Sequence, residues 1–172
     1  YRFAVLTGLR PGELRALEDK NDIQGRKVTI RGAINVRDEV TQGKNENAQR
    51  TFQMSALAEA EANAQRAMLR RYGIVSPYLF PAPDGGHLVH KNFYRAWGRY
   101  CEANQIPRTS LYELRHTYDS VNKEMPEGLK KMIVGHSRDM DTEGTYGHQM
   151  DGDLAKAAAY TDQAFDDIIY AK

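Results

Sequence analysis

The stretch Gly135-His136-Ser137, followed by Asp141-Thr142-Glu143-Gly144-Thr145-Tyr146-Gly147-His148, governs how the rest of the chain is read. Alone it offers one tyrosine and two histidines. Two arginine-centred stretches give it meaning, Thr7-Gly8-Leu9-Arg10-Pro11-Gly12-Glu13 and Tyr112-Glu113-Leu114-Arg115-His116, together with Lys44 in a polar turn. The set comprises two fixed cations, a proton donor, a histidine and a tyrosine, and it suits attack on a phosphodiester.

Local sequence places these groups on elements. Residues 1–7 read as the end of a helix that Gly8 interrupts. Pro11 suits the first turn of a new helix, with Glu13 where its charge favours the helix N-terminus, so Arg10 lies at a helix mouth. Val28-Thr29-Ile30, Ala33-Ile34-Asn35-Val36 and Arg50-Thr51-Phe52-Gln53-Met54 each alternate in strand fashion. They predict a small three-stranded antiparallel sheet whose second turn, 41–49, carries Lys44. Ser110 is expected to cap a helix running to about Lys123, with Glu113 at capping-box spacing. Tyr112 and Arg115, three apart, then project from one face.

The remaining segments are helical. Ala56–Tyr72 is rich in Ala, Glu and Arg and ends at Gly73. Between Lys91 and Asn104, Phe93, Trp97, Tyr100 and Cys101 share one face, while Lys91, Arg95 and Arg99 form a basic stripe on another. Leu129-Met132-Ile133 marks a short helix stopping at Gly135. Asp153 is expected to cap a last helix whose apolar side is Leu154, Ala157, Ala158, Phe165, Ile168 and Ile169. The fold class is therefore α+β and mostly helical, with one small antiparallel sheet.

Composition narrows the classes. A chain of 172 residues with 41% hydrophobic and 27% charged residues fits one domain with its own core. The single Cys101 argues against a disulfide framework and a cysteine metal site, and His87, His90 and His148 lack ligand partners at convincing spacing, so no metal is assigned. The same cysteine usage fits a reducing interior, so the cytoplasm is expected, and no run approaches the roughly 18 apolar residues of a membrane span, so no membrane partner is expected. The chain opens in helix-compatible residues without a methionine, as a piece of a longer protein would. A net charge of +1 gives no global pull toward nucleic acid, so binding DNA needs local charge segregation.

The chemistry sets its own demands. Cleavage of a phosphodiester by an enzyme nucleophile builds negative charge on the non-bridging oxygens and needs a proton for the leaving alkoxide. Two guanidiniums, with Arg10 and Arg115 as candidates, clamp such oxygens without a divalent metal. A tyrosine with its pKa of about 10 needs positive charge or a base beside it. Taken singly, each residue has a plainer reading. Arg10 answers Glu13 or Asp22, Lys44 is a solvated turn lysine with Lys20, Lys27 or Arg50 as rivals, and His116 is a buried supporting histidine.

The combination is more specific than its parts. Arg10-Pro11-Gly12-Glu13, the hairpin Lys44, Tyr112-x-x-Arg115-His116-Thr117, Gly135-His136 and Tyr146 ten residues after His136 resemble the catalytic domain of tyrosine recombinases, the integrases of phages and conjugative transposons. The resemblance covers nearly the whole chain. It implies that Arg10 and Arg115 are the phosphate clamp, Lys44 the general acid, His136 the second-box histidine and Tyr146 the nucleophile. It also implies double-stranded DNA as substrate, no cofactor, and site-specific cleavage and rejoining through a 3′-phosphotyrosyl intermediate.

On the same reading the N-terminal DNA-binding domains lie outside residues 1–172. The protein acts as a homo-oligomer on DNA, a tetrameric synapse in which residues 150–172 carry an exchanged C-terminal helix. In a DNA enzyme the stripe Lys91, Arg95 and Arg99, with Arg66, Arg70 and Arg71, becomes a phosphate-contacting surface. One departure matters: Tyr112 stands where the family usually has histidine. A phenol donates a hydrogen bond but is a poor proton acceptor at neutral pH, which leaves general-base work to His136 or to water.

Overall fold

The computed structural model describes residues 1–41, 49–135 and 152–170. Helix α1 (Arg2–Thr7) stops at Gly8, whose left-handed backbone (φ 61°) lets its N–H bond back to Ala4 O at 3.0 Å. Helix α2 (Pro11–Ala16) starts three residues after Gly8 with Pro11 in its first turn, as expected. A separate single turn, α3 (Asp19–Asp22), follows.

The sheet differs in detail from the sequence expectation. Three strands do pair antiparallel, in the order β1 (Ile23–Gln24), β2 (Lys27–Ile30), β5 (Arg50–Gln53), with Val28 opposite Phe52 and Ile30 opposite Arg50. The 33–36 segment is not the middle strand. Its residues Ala33–Ile34 form β3, which pairs with β4 (Val40–Thr41) in a two-stranded ribbon of its own. Alternation shows which residues share a face but not which strand lies alongside, and a two-residue strand such as β1 carries no periodicity at all. Lys44 falls between β4 and β5, outside the described residues.

Among the described residues, four longer helices and a short one follow: α4 (Ala56–Arg71), α5 (His90–Ala103), α6 (Tyr112–Val121), α7 (Glu127–Val134) and α8 (Asp153–Ile169). Two caps differ from expectation. Helix α6 starts after Leu111 with no side-chain cap, and Ser110 contributes only its backbone carbonyl, to Glu113 N–H at 3.1 Å. Helix α8 is preceded by Gly152, so Asp153 is its first residue rather than its cap.

One core joins the layers. Phe3, Leu9, Leu14, Val28, Phe52, Trp97, Leu111, Tyr118, Val134 and Phe165 are buried in a single cluster, and Cys101 is buried with them as a free thiol. Helix α8 packs against α7, β5 and α4 of its own chain. Its Asp162 accepts from the N–H groups of Ala56 and Leu57 (2.8 and 3.0 Å), supplying the start of α4 with the acceptors that every helix N-terminus lacks. Ala157, Ala158, Thr161 and Phe165 form its buried side, but Ile168 and Ile169 are more than half exposed, contrary to the apolar face read from sequence. Among the described residues, no helix is long and apolar enough to cross a membrane.

Candidate active site

The turn between α1 and α2 delivers Arg10, and β5 and α6 bring two further guanidiniums toward it. Glu13, one turn into α2, is their common carboxylate and is buried. Arg10 donates its backbone N–H to Glu13 Oε2 (2.9 Å) and its Nη1 to Oε1 (2.8 Å). Arg50, opening β5, donates Nη1 to Oε1 (3.0 Å) and Nη2 to Oε2 (2.8 Å), a two-point pair. Burial alone would push the Glu13 carboxyl up. The hydrogen bonds and charge of Arg50, and then those of Arg10, outweigh it and hold the group below its ordinary value.

Arg115, from the first turn of α6, is 5% exposed and donates Nη1 to Gly8 O at 2.8 Å. That bond ties α6 to the glycine that permits the α1–α2 turn, so Arg10 and Arg115 are placed by one piece of backbone. Burial, followed by the repulsion of Arg10, lowers the Arg115 guanidinium to about 10, with Arg50 acting in the same direction and Glu13 opposing. Arg115 nevertheless stays charged at neutral pH. Among the described residues, three arginines thus gather at Glu13, with Asp119 acting on Arg115 as a second carboxylate. Such a surplus of desolvated positive charge is costly unless an anion completes it.

The C-terminal end of α7 closes one side. Arg10 Nη2 donates to Gly135 O (3.0 Å), and Arg50 Nε to Ile133 O (2.6 Å). Gly135 has φ 67°, and a Cβ there would meet the Arg50 Cδ and Nη1 at 2.9 Å, so the helix end reaches the arginines because this residue is glycine. The chain continues from here into residue 136.

The sequence-derived set therefore divides. Arg10 and Arg115 both lie at the α1–α2 turn, close enough for the charge of Arg10 to act on Arg115. Lys44, His136 and Tyr146 lie outside the described residues. Tyr112 opens α6 and is 46% exposed, and it acts on Tyr94 of α5, whose hydroxyl pKa is raised first by burial and next by Tyr112. Tyr112 and Arg115 do not share a face as expected: Leu114, Arg115 and Tyr118 point inward, while Tyr112 lies on the outer face of α6 with His116, which is exposed rather than buried. Lys91, Arg95 and Arg99 are exposed along α5, as are Arg70 and Arg71 at the end of α4, whereas Arg66 is engaged with Asp19 at 2.6 Å.

Two residues gained weight in the structure. Arg50, named from sequence only as a rival to Lys44, proves to be a buried partner of Glu13. The signal for it was present: in Arg50-Thr51-Phe52-Gln53-Met54 the arginine falls on the same side as Phe52 and Met54, the core side. Arg15 went unnoticed. It is 1% exposed, donates to Leu88 O (2.6 Å), Ile34 O (3.3 Å) and Asn35 O (3.2 Å), and pairs with Asp38, which also accepts from His90 N–H at 2.8 Å. This network pins the β3–β4 ribbon to α2.

Comparison with known proteins agrees with this architecture. No curated protein sequence matches the chain. Solved structures do. The integrase of the Tn1549 transposon, in complex with circular intermediate DNA, shares 23% identity at a TM-score of 0.67, over 92% of this chain and 57% of that one. XerA recombinase shares 20% at 0.60, over 93% and 55%. The XerH site-specific recombinase, bound to its palindromic difH substrate, shares 18% at 0.54, over 98% and 43%. The chain thus spans about half the length of these proteins, and identities this low speak to the fold. The phage integrase family model matches residues 1–152, the greater part of the sequence. This chain belongs to the phage integrase family, and its helical architecture with a small antiparallel sheet is that of the tyrosine recombinases.

Proposed function

We propose that this chain is the catalytic domain of a tyrosine-type site-specific DNA recombinase, an integrase that inserts or excises a mobile element without a metal. The observation that carries the reading is the surplus of guanidinium over carboxylate at the meeting of α2, β5, α6 and α7. Three charged arginines against Glu13 and the more distant Asp119 leave a net positive, partly desolvated site that a phosphodiester would complete.

In the reaction Arg10 and Arg115 hold the non-bridging oxygens. The Tyr146 hydroxyl oxygen attacks phosphorus, forming a 3′-phosphotyrosyl ester as the bond to the 5′ oxygen breaks. Lys44 gives that leaving oxygen its proton. His136 takes the larger share of the remaining proton traffic, because Tyr112 in its un-ionised form accepts a proton poorly. The ester retains the bond energy, so a 5′ hydroxyl of a second strand reverses the step and rejoins DNA.

The exposed cations Lys91, Arg95 and Arg99 on α5, with Arg70 and Arg71 on α4, supply phosphate contacts along double-stranded DNA. Recombination between two sites requires several protomers, for which we propose a tetramer on DNA. In that assembly α8 leaves the cis packing of this chain and docks on a neighbour. A cytoplasmic location goes with the DNA substrate.

The test is incubation of the full-length protein with a nicked suicide duplex carrying its site. A covalent protein–DNA adduct on a denaturing gel, lost in Tyr146→Phe, is the expected result. An adduct that survives Tyr146→Phe would remove the nucleophile. Salt-sensitive binding with no adduct at any pH would indicate a non-catalytic DNA-binding module, and relaxation of supercoiled DNA without sequence dependence a type IB topoisomerase.

A further inference from the structure

A carboxylate beside a clamp arginine poses a problem. Left to themselves, Arg10 and Glu13 would form the two-point guanidinium–carboxylate pair, which neutralises the cation and occupies two of its donors. That pair is not what forms. Arg50 occupies the fork across both Glu13 oxygens (3.0 and 2.8 Å), and Arg10 keeps one side-chain bond, at 2.8 Å. The other Arg10 terminal nitrogen turns to Gly135 O at 3.0 Å. The two arginines are also unequal in access: the Arg50 side chain is 7% exposed and that of Arg10 34%.

We propose that Arg50 is a positioning residue that engages Glu13 so that this carboxylate orients Arg10 without quenching it, leaving the Arg10 charge available to an oxyanion. The proposal rests on the phosphodiester reading of the site. It explains why a buried strand-end arginine points to the core face of β5 opposite Ile30, where an apolar residue would be cheaper to bury. It also accounts for Glu13 staying ionised although buried, since one carboxylate is shared by two cations. The third donor of Arg50, Nε to Ile133 O at 2.6 Å, fixes the last turn of α7, and Gly135 admits the guanidinium where a Cβ would collide with it. Arg50 therefore sets both the charge of Arg10 and the position of the helix end that Arg10 touches.

The experiment compares wild type, Arg50→Met, Arg50→Lys and the double variant Glu13→Gln/Arg50→Met in the full-length protein, with circular dichroism as the check on folding. Two quantities are read: the rate at which phenylglyoxal modifies Arg10, followed by peptide mass spectrometry without DNA, and the dissociation constant for duplex DNA at fixed salt. Arg50→Met should slow Arg10 modification about fivefold and weaken binding about tenfold, because Glu13 then claims both nitrogens of Arg10. Adding Glu13→Gln should restore both to within about threefold of wild type, and Arg50→Lys should fall between.

A merely structural role predicts the opposite for the double variant, since it loses still more hydrogen bonds. Equal Arg10 reactivity in wild type and Arg50→Met, or a double variant no better than Arg50→Met, overturns the proposal. If Arg50→Met does not fold, Arg50→Lys with and without Glu13→Gln makes the same comparison. Failure of the wild type to bind duplex would overturn the phosphodiester reading instead, while the Arg10 reactivity series still decides the role of Arg50.

Discussion

Replacing Gly8 by alanine should damage stability and the site together. Gly8 has φ 61°, a conformation that costs an L-residue about 1–2 kcal/mol. The added methyl would also lie 2.7 Å from Tyr118 Cδ1, 3.0 Å from its Cγ and 3.2 Å from Val134 Cγ1. Tyr118 is fully buried and its hydroxyl is 3.1 Å from that of Thr161, so the ring cannot swing aside without giving up that bond. Overpacking of this kind costs about 1–3 kcal/mol, giving a combined loss of about 2–5 kcal/mol. For a domain of this size that corresponds to a fall in Tm of about 4–20 °C. The Gly8 carbonyl is also the acceptor for Arg115, so cleavage should weaken beyond what the unfolded fraction explains. Urea denaturation followed by circular dichroism, paired with single-turnover cleavage at a temperature where the variant is folded, measures both effects. A loss below about 1 kcal/mol would refute the strained, tightly packed turn. Unchanged cleavage in the folded variant would refute its link to Arg115.

Other substitutions separate the parts of the site. Arg115→Ala should lower the cleavage rate by at least about 10³-fold while Tyr112→Phe costs less than about tenfold, and equal losses in single-turnover assays would show that the phenol carries a larger share. Asp162→Ala removes the acceptor of two N–H groups at the start of α4 and should cost about 1–2 kcal/mol by urea denaturation. A loss within error would mean that water replaces it. The carboxyl of Glu13 has its pKa depressed from an ordinary 4.5, so its contribution to stability is present above that value and is lost as pH falls through the lower folded value. Wild type should therefore lose stability more steeply than Glu13→Gln below pH 4.5, and parallel urea midpoints through this range would contradict the pairing.

Local rules carried much of the fold. Gly8, Pro11, Gly73 and Gly135 mark the ends and starts of helices because backbone conformation is set by the residue itself, and each lies at the expected boundary. Arg10 and Arg115 can be paired from sequence only through the family resemblance, since each alone reads as an ordinary helix-start arginine. Contacts made across the fold were not legible in the same way. The pairing of β3 with β4 depends on which strand lies alongside, and the exposure of Ile168 and Ile169 on the absence of any element over the end of α8 among the described residues. Arg15 looked like an ordinary surface arginine of a short helix, and only the return of residues 34–38 and Leu88 makes it a buried tie. The spacing of four placed His116 on the face of Tyr112, but which way that face points depends on the packing of Leu114, Arg115 and Tyr118 and was not legible. Arg50 was readable from the alternation of β5, but its role was not, because that depends on Glu13 being shared.

Peptide mapping of the covalent adduct tests the central claim most directly. Trypsin cleaving after Arg138 and Lys156 releases Asp139–Lys156, in which Tyr146 is the sole tyrosine. After trapping on a suicide duplex and nuclease trimming, that peptide should carry the nucleotide mass, attached to Tyr146 through a 3′ phosphate. A nucleotide on any other peptide, or attached through a 5′ phosphate, would contradict the mechanism.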